Sequence, residues 1–392
     1  MIFRHLSNLI NRPLRKAKLW LKKKLGWLGV PIILPYRGYG NAHKFYVKGR
    51  VIEDTGLSQP HVKDSIWHNI LAMIKRYASS GIPQATVTLQ VGEHQQQTVT
   101  NEDGYFSFSS APVSQQRWQQ VHFSMDHLPR AVFDEDCCES IRAAGEVVIS
   151  SPNNAFGIIT DIDDTLLISH STNMRKKLKL MLFKNAMTRL PFPGAAAFYR
   201  ALQGGKTGKS HHPIFYVSSS EWNLYDLLVD FCEHHHFPKG PFLLRDASLD
   251  LKKIWKAGSG DHSHKFDKIC RILDLHPHLS FVLVGDSGQH DAEIYQQIAI
   301  ENPGRVEVIY IRDVRPSRHE AVQAIADSLA EKGVEMLLVE DTEEAAIHAL
   351  KRGLIAAESI PGIATEKSID QTTDEDLVQL FERVFSDVDR ES

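Results

Sequence analysis

The stretch FGIITDIDDTLLIS, from Phe156 to Ser169, passes from an apolar run straight into carboxylates: Asp161, Asp163 and Asp164, with only Ile162 among them. Aspartate is depleted in strands, and neighbouring negative charges repel one another. Such a cluster at the end of an apolar run needs a chemical reason, and phosphoryl transfer supplies one. In the D-x-D-x-T loop of Asp161, Asp163 and Thr165, one carboxylate can attack phosphorus, splitting a hard hydrolysis into two easier steps through an acyl phosphate. The other can give a proton to the leaving oxygen and then take one from water. Carboxylates and phosphate repel, so both roles call for a hard divalent cation with oxygen ligands, for which Mg²⁺ is the natural choice. The rival reading is an Asp-rich calcium loop, but Thr165 stands where its third acid should be.

Three later stretches carry complementary chemistry. FYVSSS ends an apolar run in Ser218, a hydroxyl able to hold a phosphate oxygen, with Ser219 beside it. HKFDKICRIL sets Lys265 at the start of a helix, where its ammonium can offset phosphate and carboxylate charge. FVLVGDSGQHDAEIY places Asp286 at the end of another buried run and Asp291 five residues on, suited to completing a cation site. Other stretches carry less. QGGKTGKSHH lacks the leading glycine of a phosphate-binding loop, because Arg200 and Gln203 occupy the two positions where it would fall. His234, His235 and His236 point in different directions and suit a helix C-terminus better than a metal. Cys137-Cys138 has no second pair at zinc-like spacing, and four cysteines in a chain of this size read as free thiols in a reducing cytosol.

The elements that must position these residues follow from periodicity. Past residue 155, short apolar runs (FGIIT, PIFYVSS, FVLVGD, VEVIYI, VEMLLVE) alternate with helical stretches such as WNLYDLLVDFCEHH and HKFDKICRILDL. This is the signature of an α/β fold, a parallel sheet with helices on both faces. Ligands of such sheets bind beyond the carboxyl ends of the strands, which is where the polar residues above fall. Residues 36–150 read as a smaller β-rich, sandwich-like domain. In it Ala85, Val87, Leu89 and Val91 alternate with polar partners, Asp103-Gly104 turns one strand into the next, and HVKDSIWHNILAMIKRYASS inserts a helix. Residues 363–392 form an acidic tail in which DEDLVQLFERVF has helical spacing but no site signal.

The chain of 392 residues has a formal charge of −3, but residues 1–52 hold twelve Lys or Arg and no acid. That imbalance directs the amino-terminal end to an anionic surface. Residues 13–28 (PLRKAKLWLKKKLGWL) read as a basic amphipathic helix within an N-terminal segment 1–35, a pattern suited to peripheral contact with anionic lipid rather than to nucleic acid. No run approaches the roughly eighteen apolar residues of a spanning helix. The expected place is therefore the cytoplasm, peripheral to the inner face of the membrane.

The order Asp161/Asp163, Ser218, Lys265, Asp286/Asp291 resembles the four motifs of the haloacid dehalogenase (HAD) superfamily of phosphohydrolases. More closely, ITDIDDTLL, RLPFPGAAAFYRAL, YVSSSEWNLYDLL, FLLRD, VGDSGQHDAEIY and IYIRDV resemble the catalytic domain of the actin-patch type phosphatidate phosphatases, over roughly residues 150–360. The resemblance implies a HAD-like Rossmannoid catalytic domain over 151–362 and hydrolysis of phosphatidate to diacylglycerol with Mg²⁺. It also implies Asp161 as nucleophile and metal ligand, and Asp163 as acid/base with its carbonyl on the metal. Ser218 would hold phosphate, Lys265 would stabilise charge, Asp286 would bind the ion, and Asp291 would support it through water. Glu221 departs from the proline expected beside the second motif.

From Thr165 to Ser220 there is no acid and there are nine basic residues. Arg175, Lys176, Lys177 and Lys179 interleave there with Leu178, Leu180, Met181, Leu182 and Phe183. Together with Thr165 and Ser219 these basic residues are the expected substrate contacts, and a basic, apolar insert suits an anionic phospholipid better than a sugar phosphate. The alternatives are a HAD phosphatase for another phosphomonoester, or a membrane-associated adaptor with weak catalysis.

Overall fold

The computed structural model of the chain describes residues 29–54, 80–114, 116–127, 140–162, 193–246 and 263–370, with Leu21, Lys24 and Leu25 besides. Asp163, Thr165, Arg175, Lys176, Lys177, Lys179, all but the last residue of the expected inserted helix at 61–80, the DEDLVQLFERVF segment and most of residues 13–28 lie outside the described residues. Two compact units divide the chain. One comprises Met1–Pro152 with Glu221–Leu228 and Leu244–Ser263; the other comprises Asn153–Ser220, Val229–Leu243 and His264–Ser392.

The first unit is β-rich. Its strands are β1 (Pro31–Pro35), β2 (Gly38–Gly40), β3 (Phe45–Glu53), β4 (Thr86–Val91), β5 (His94–Val99), β6 (Tyr105–Ser110), β7 (Trp118–Met125) and β8 (Ile141–Ile149). They join in the order β1-β3-β2-β8-β7-β4-β5, with β6 on β3. The alternating residues Ala85, Val87, Leu89 and Val91 are buried with Phe45, Val47, Val51, Phe106 and Phe123, so one face of each strand feeds a common core. The Asp103-Gly104 turn forms as its residues dictate: Asn101 Oδ1 accepts from the backbone N–H of Asp103 and Tyr105, each at 2.9 Å, and Gly104 takes a φ of 80°. The strands it joins nevertheless part company, since β5 pairs with β4 and β6 with β3. Turn chemistry is local, whereas strand partners are chosen by the core.

The second unit is α/β. It holds β9 (Phe156–Asp161), α1 (Ala195–Gly204), β10 (Ile214–Glu221), α2 (Tyr225–His234), β11 (Phe242–Arg245), α3 (Ser263–Leu275), β12 (Ser280–Asp286), α4 (Asp291–Glu301), β13 (Val306–Arg312), α5 (His319–Ala330), β14 (Met336–Val339) and α6 (Thr342–Lys351), although parts of β10, β11 and α2 group with the first unit. The sheet order is β11-β10-β9-β12-β13-β14, and β9 lies parallel to both neighbours. Paired on both edges, β9 is buried throughout its length, which explains why FGIITD lacks the alternation of a half-exposed strand. The strand order reverses at β9. The carboxyl ends of β9, β10 and β12 therefore meet at the topological switch point, where a crevice opens in such sheets.

Helical backbone also continues over residues 360–370. There Asp370 Oδ2 accepts from Gly194 N at 2.7 Å and Glu366 Oε1 accepts from Ala197 N at 2.9 Å. These carboxylates satisfy the first turn of α1, whose own N-cap, Gly194, provides no side-chain bond. The sequence pattern gave these acids no role.

Candidate active site

Asp161 is the last residue of β9, and its backbone aligns with Val217 of β10, one residue before Ser218. Both Asp161 and Ser218 are buried. Ser218 Oγ accepts from Ser220 N at 2.9 Å, which leaves its own O–H to donate to a ligand oxygen. The Ser218 carbonyl accepts from Lys268 Nζ at 2.6 Å, fixing the end of β10 from α3. Ser219, between the two buried serines, is exposed.

Lys265 lies in the first turn of α3, almost wholly buried at 4% exposure. Its ammonium is 3.0 Å from Asp161 Oδ1 and is also paired to Asp291 Oδ1. Burial would lower the pKa of this lysine, but the charges of Asp161 and Asp291 outweigh it and hold the group above its ordinary range. Asp286 ends β12, and its Oδ1 accepts from Gly288 N at 2.7 Å and Gln289 N at 3.2 Å. Burial, aided by the charge of Asp291, pushes the Asp286 carboxyl up, against the pull of those two N–H groups and Lys265. Asp291 opens α4, fully buried, with Oδ2 accepting from Asp286 N at 3.2 Å. Gly285 makes that approach possible: a Cβ there would sit 2.5 Å from Asp291 Oδ2.

Oxygen atoms of Asp161, Asp286 and Asp291 all lie within 4.8 Å of one another. Three buried carboxylates face one buried ammonium, an excess of negative charge that a protein interior tolerates poorly. An all-oxygen donor set of this charge fits a hard divalent cation. Thus the structure brings together Asp161, Ser218, Lys265, Asp286 and Asp291, and it adds partners the sequence reading missed. Thr160 Oγ1 sits 2.8 Å from the Tyr199 hydroxyl and 3.1 Å from the Asp161 carbonyl, a buried polar pair directly behind the strand end. Tyr295 donates to the Val284 carbonyl at 2.9 Å. The only signal for Tyr199 was a hydroxyl within an otherwise apolar helical run.

The model of the family described as "Phosphatidate phosphatase APP1, catalytic domain" matches residues 156–313, the segment that carries every one of these groups. Residues 156–313 are similar to that family. The APP1 likeness extends to curated proteins. Phosphatidate phosphatase APP1 of Saccharomyces cerevisiae is 32% identical over 157 residues, 40% of this chain and 25% of that protein. An uncharacterized protein of Schizosaccharomyces pombe is 25% identical over 217 residues, 55% of this chain and 34% of that one. The chain therefore spans between a quarter and about a third of the length of these relatives. Among solved structures, a carbohydrate acetylesterase from Xanthomonas citri matches at 10% identity with a TM-score of 0.24, over 73% of this chain and 69% of that one. Among the described residues, no helix is long and apolar enough to cross a membrane.

Proposed function

We propose that the chain is a Mg²⁺-dependent phosphatidate phosphatase of HAD type, releasing phosphate and diacylglycerol through an aspartyl phosphate on Asp161. The observation that carries this reading is the convergence of Asp161, Lys265, Asp286 and Asp291 at the switch point of the parallel sheet, inside the segment that matches the APP1 catalytic-domain family. Asp161, Asp286, Asp291 and the Asp163 carbonyl would hold Mg²⁺. When bound, the ion would neutralise phosphate charge and polarise the phosphoryl oxygens.

The chain's own residues divide the chemistry. Lys265 and the Ser218 hydroxyl bind phosphate oxygens and fix the phosphorus in line with the Asp161 carboxylate. An Asp161 oxygen forms the new bond to phosphorus as the bond to the glycerol oxygen breaks, and protonated Asp163 delivers its proton to that oxygen. Deprotonated Asp163 then takes a proton from water, whose oxygen attacks the acyl phosphate, and Asp161 is restored as phosphate leaves. Thr160 and Tyr199 hold the Asp161 backbone from behind.

The same reading gives the β-rich unit a sandwich-like arrangement. It assigns residues 1–35 and the basic insert around Arg175, Lys176, Lys177 and Lys179 to anionic phospholipid, with the protein peripheral to the cytoplasmic face of the membrane. Its test compares the full chain with Asp161→Asn for phosphate release from phosphatidate and from soluble phosphomonoesters, in Mg²⁺ or EDTA. The unsubstituted protein should release phosphate from phosphatidate only with metal, and the variant should fall by about a thousandfold or more. Equal release by the two proteins would remove Asp161 as nucleophile.

A further inference from the structure

Asp286 is tied to the backbone: its Oδ1 accepts from Gly288 N and Gln289 N, and the same carboxylate belongs to the acidic cluster. What holds those two N–H groups decides how firmly the carboxylate is aimed. The Gly288 N–H belongs to the peptide whose carbonyl is that of Ser287, and this carbonyl accepts from Arg318 Nη1 at 3.3 Å. The same guanidinium donates to the Gln289 carbonyl and pairs with Glu293 on α4, the helix that begins at Asp291. One arginine thus grips the loop between Asp286 and Asp291 at two backbone oxygens and the helix beyond it at a carboxylate.

A second fastening lies beside it. Ser287, fully buried, accepts at Oγ from Val314 N and Arg315 N, each at 3.0 Å, and lies 3.1 Å from Asp313 Oδ1. Its own N–H donates to the Arg312 carbonyl at 2.8 Å. The segment after β13, residues 313–318, is by these bonds a brace for the loop that carries two of the three clustered acids.

We infer that Arg318 is a positioning residue for the cation site, acting through the Ser287–Gly288 peptide on the Asp286 carboxylate. A cation-polarised carbonyl makes its peptide N–H a stronger donor, and a fixed peptide plane fixes that donor's direction. Partners of this outer kind orient metal ligands in many proteins, and losing one weakens metal affinity about 10- to 100-fold. The inference rests on the reading of the acids as a divalent-cation site, and its test separates the two.

The experiment titrates the full chain with Mn²⁺ alone, following free Mn²⁺ by electron paramagnetic resonance, with thermal melting and circular dichroism on the same samples. Arg318→Gln should raise the Mn²⁺ dissociation constant about tenfold or more, and Arg318→Lys should fall between it and the unsubstituted protein. Arg352→Gln is the matched control. Arg352 also bridges several groups, Glu335 and Glu307 among them, but at the opposite, amino end of β13, so its loss should lower the melting temperature and leave Mn²⁺ affinity unchanged. If Arg318→Gln does not fold, Arg318→Lys carries the comparison. Unaltered Mn²⁺ affinity in a folded Arg318 variant overturns the role of Arg318 alone. Failure of the unsubstituted protein to bind Mn²⁺ overturns both this role and the proposed function.

Discussion

Lys265 keeps its charge where burial alone would strip it, because two carboxylates stand against its ammonium. His212 shows the opposite balance at the other end of the sheet. It is buried, its Nδ1 accepts from Asn154 Nδ2 at 3.4 Å, its ring lies 4.1 Å from that of Phe156, and no carboxylate pairs with it among the described residues. Burial therefore depresses its pKa from 6.5 to about 4. The folded protein holds this imidazole neutral, whereas the unfolded chain takes up a proton as the pH falls below 6.5. The stability this represents is whole above pH 6.5 and is lost as the pH falls toward 4, by on the order of 2 kcal/mol. Melting temperatures measured between pH 7.5 and 4.5 should fall less steeply for His212→Gln than for the unsubstituted protein, the two curves converging at the acid end. Parallel curves would show that His212 is not the group responsible.

At the scale of elements, α1 depends on acids from far along the chain. Glu366 and Asp370 receive the N–H groups of Ala197 and Gly194, and Arg200 on α1 pairs back to Glu366. Capping bonds and favourable charge at a helix N-terminus are each worth about 1 kcal/mol. The double variant Glu366→Ala/Asp370→Ala, which removes both acceptors, should therefore lose about 2 kcal/mol in urea unfolding of the full chain, and an unchanged midpoint would count against the capping role. This element-level wiring also explains what the sequence did and did not reveal. Asp161, Ser218, Lys265, Asp286 and Asp291 were legible because each sits at the end of an apolar run or in the first turn of a helix, and that placement is written locally. Tyr199, Ser287, Arg318 and Glu366 were not, because what they hold is chosen by sheet order, which periodicity alone does not give. The β5–β6 turn shows the same division: its residues were legible, and the partners of its two strands, β4 and β3, were not.

At the scale of the whole molecule, the charge along the chain is uneven, with twelve basic residues and no acid before Glu53. Attraction of such a segment to anionic lipid is worth about 1 kcal/mol for each basic residue near the surface, and salt weakens it. Deleting residues 1–30 should reduce co-sedimentation with phosphatidylserine-containing vesicles severalfold, most clearly at low salt, while turnover of a soluble phosphomonoester stays within about a factor of two. Undiminished sedimentation would place lipid contact elsewhere, the insert around Arg175 being the next candidate.

The placing of Asp161 on the central strand has a consequence for biosynthesis. A ribosome emits Asp161 first, the Lys265 ammonium that balances it about a hundred residues later, and Asp286 and Asp291 later still. A nascent chain halted before Asp291 has no means of assembling the cluster, so truncated products carry Asp161 without its partners. The acidic cluster is incomplete until the fourth strand of the sheet, β12, has emerged and slotted in beside the first.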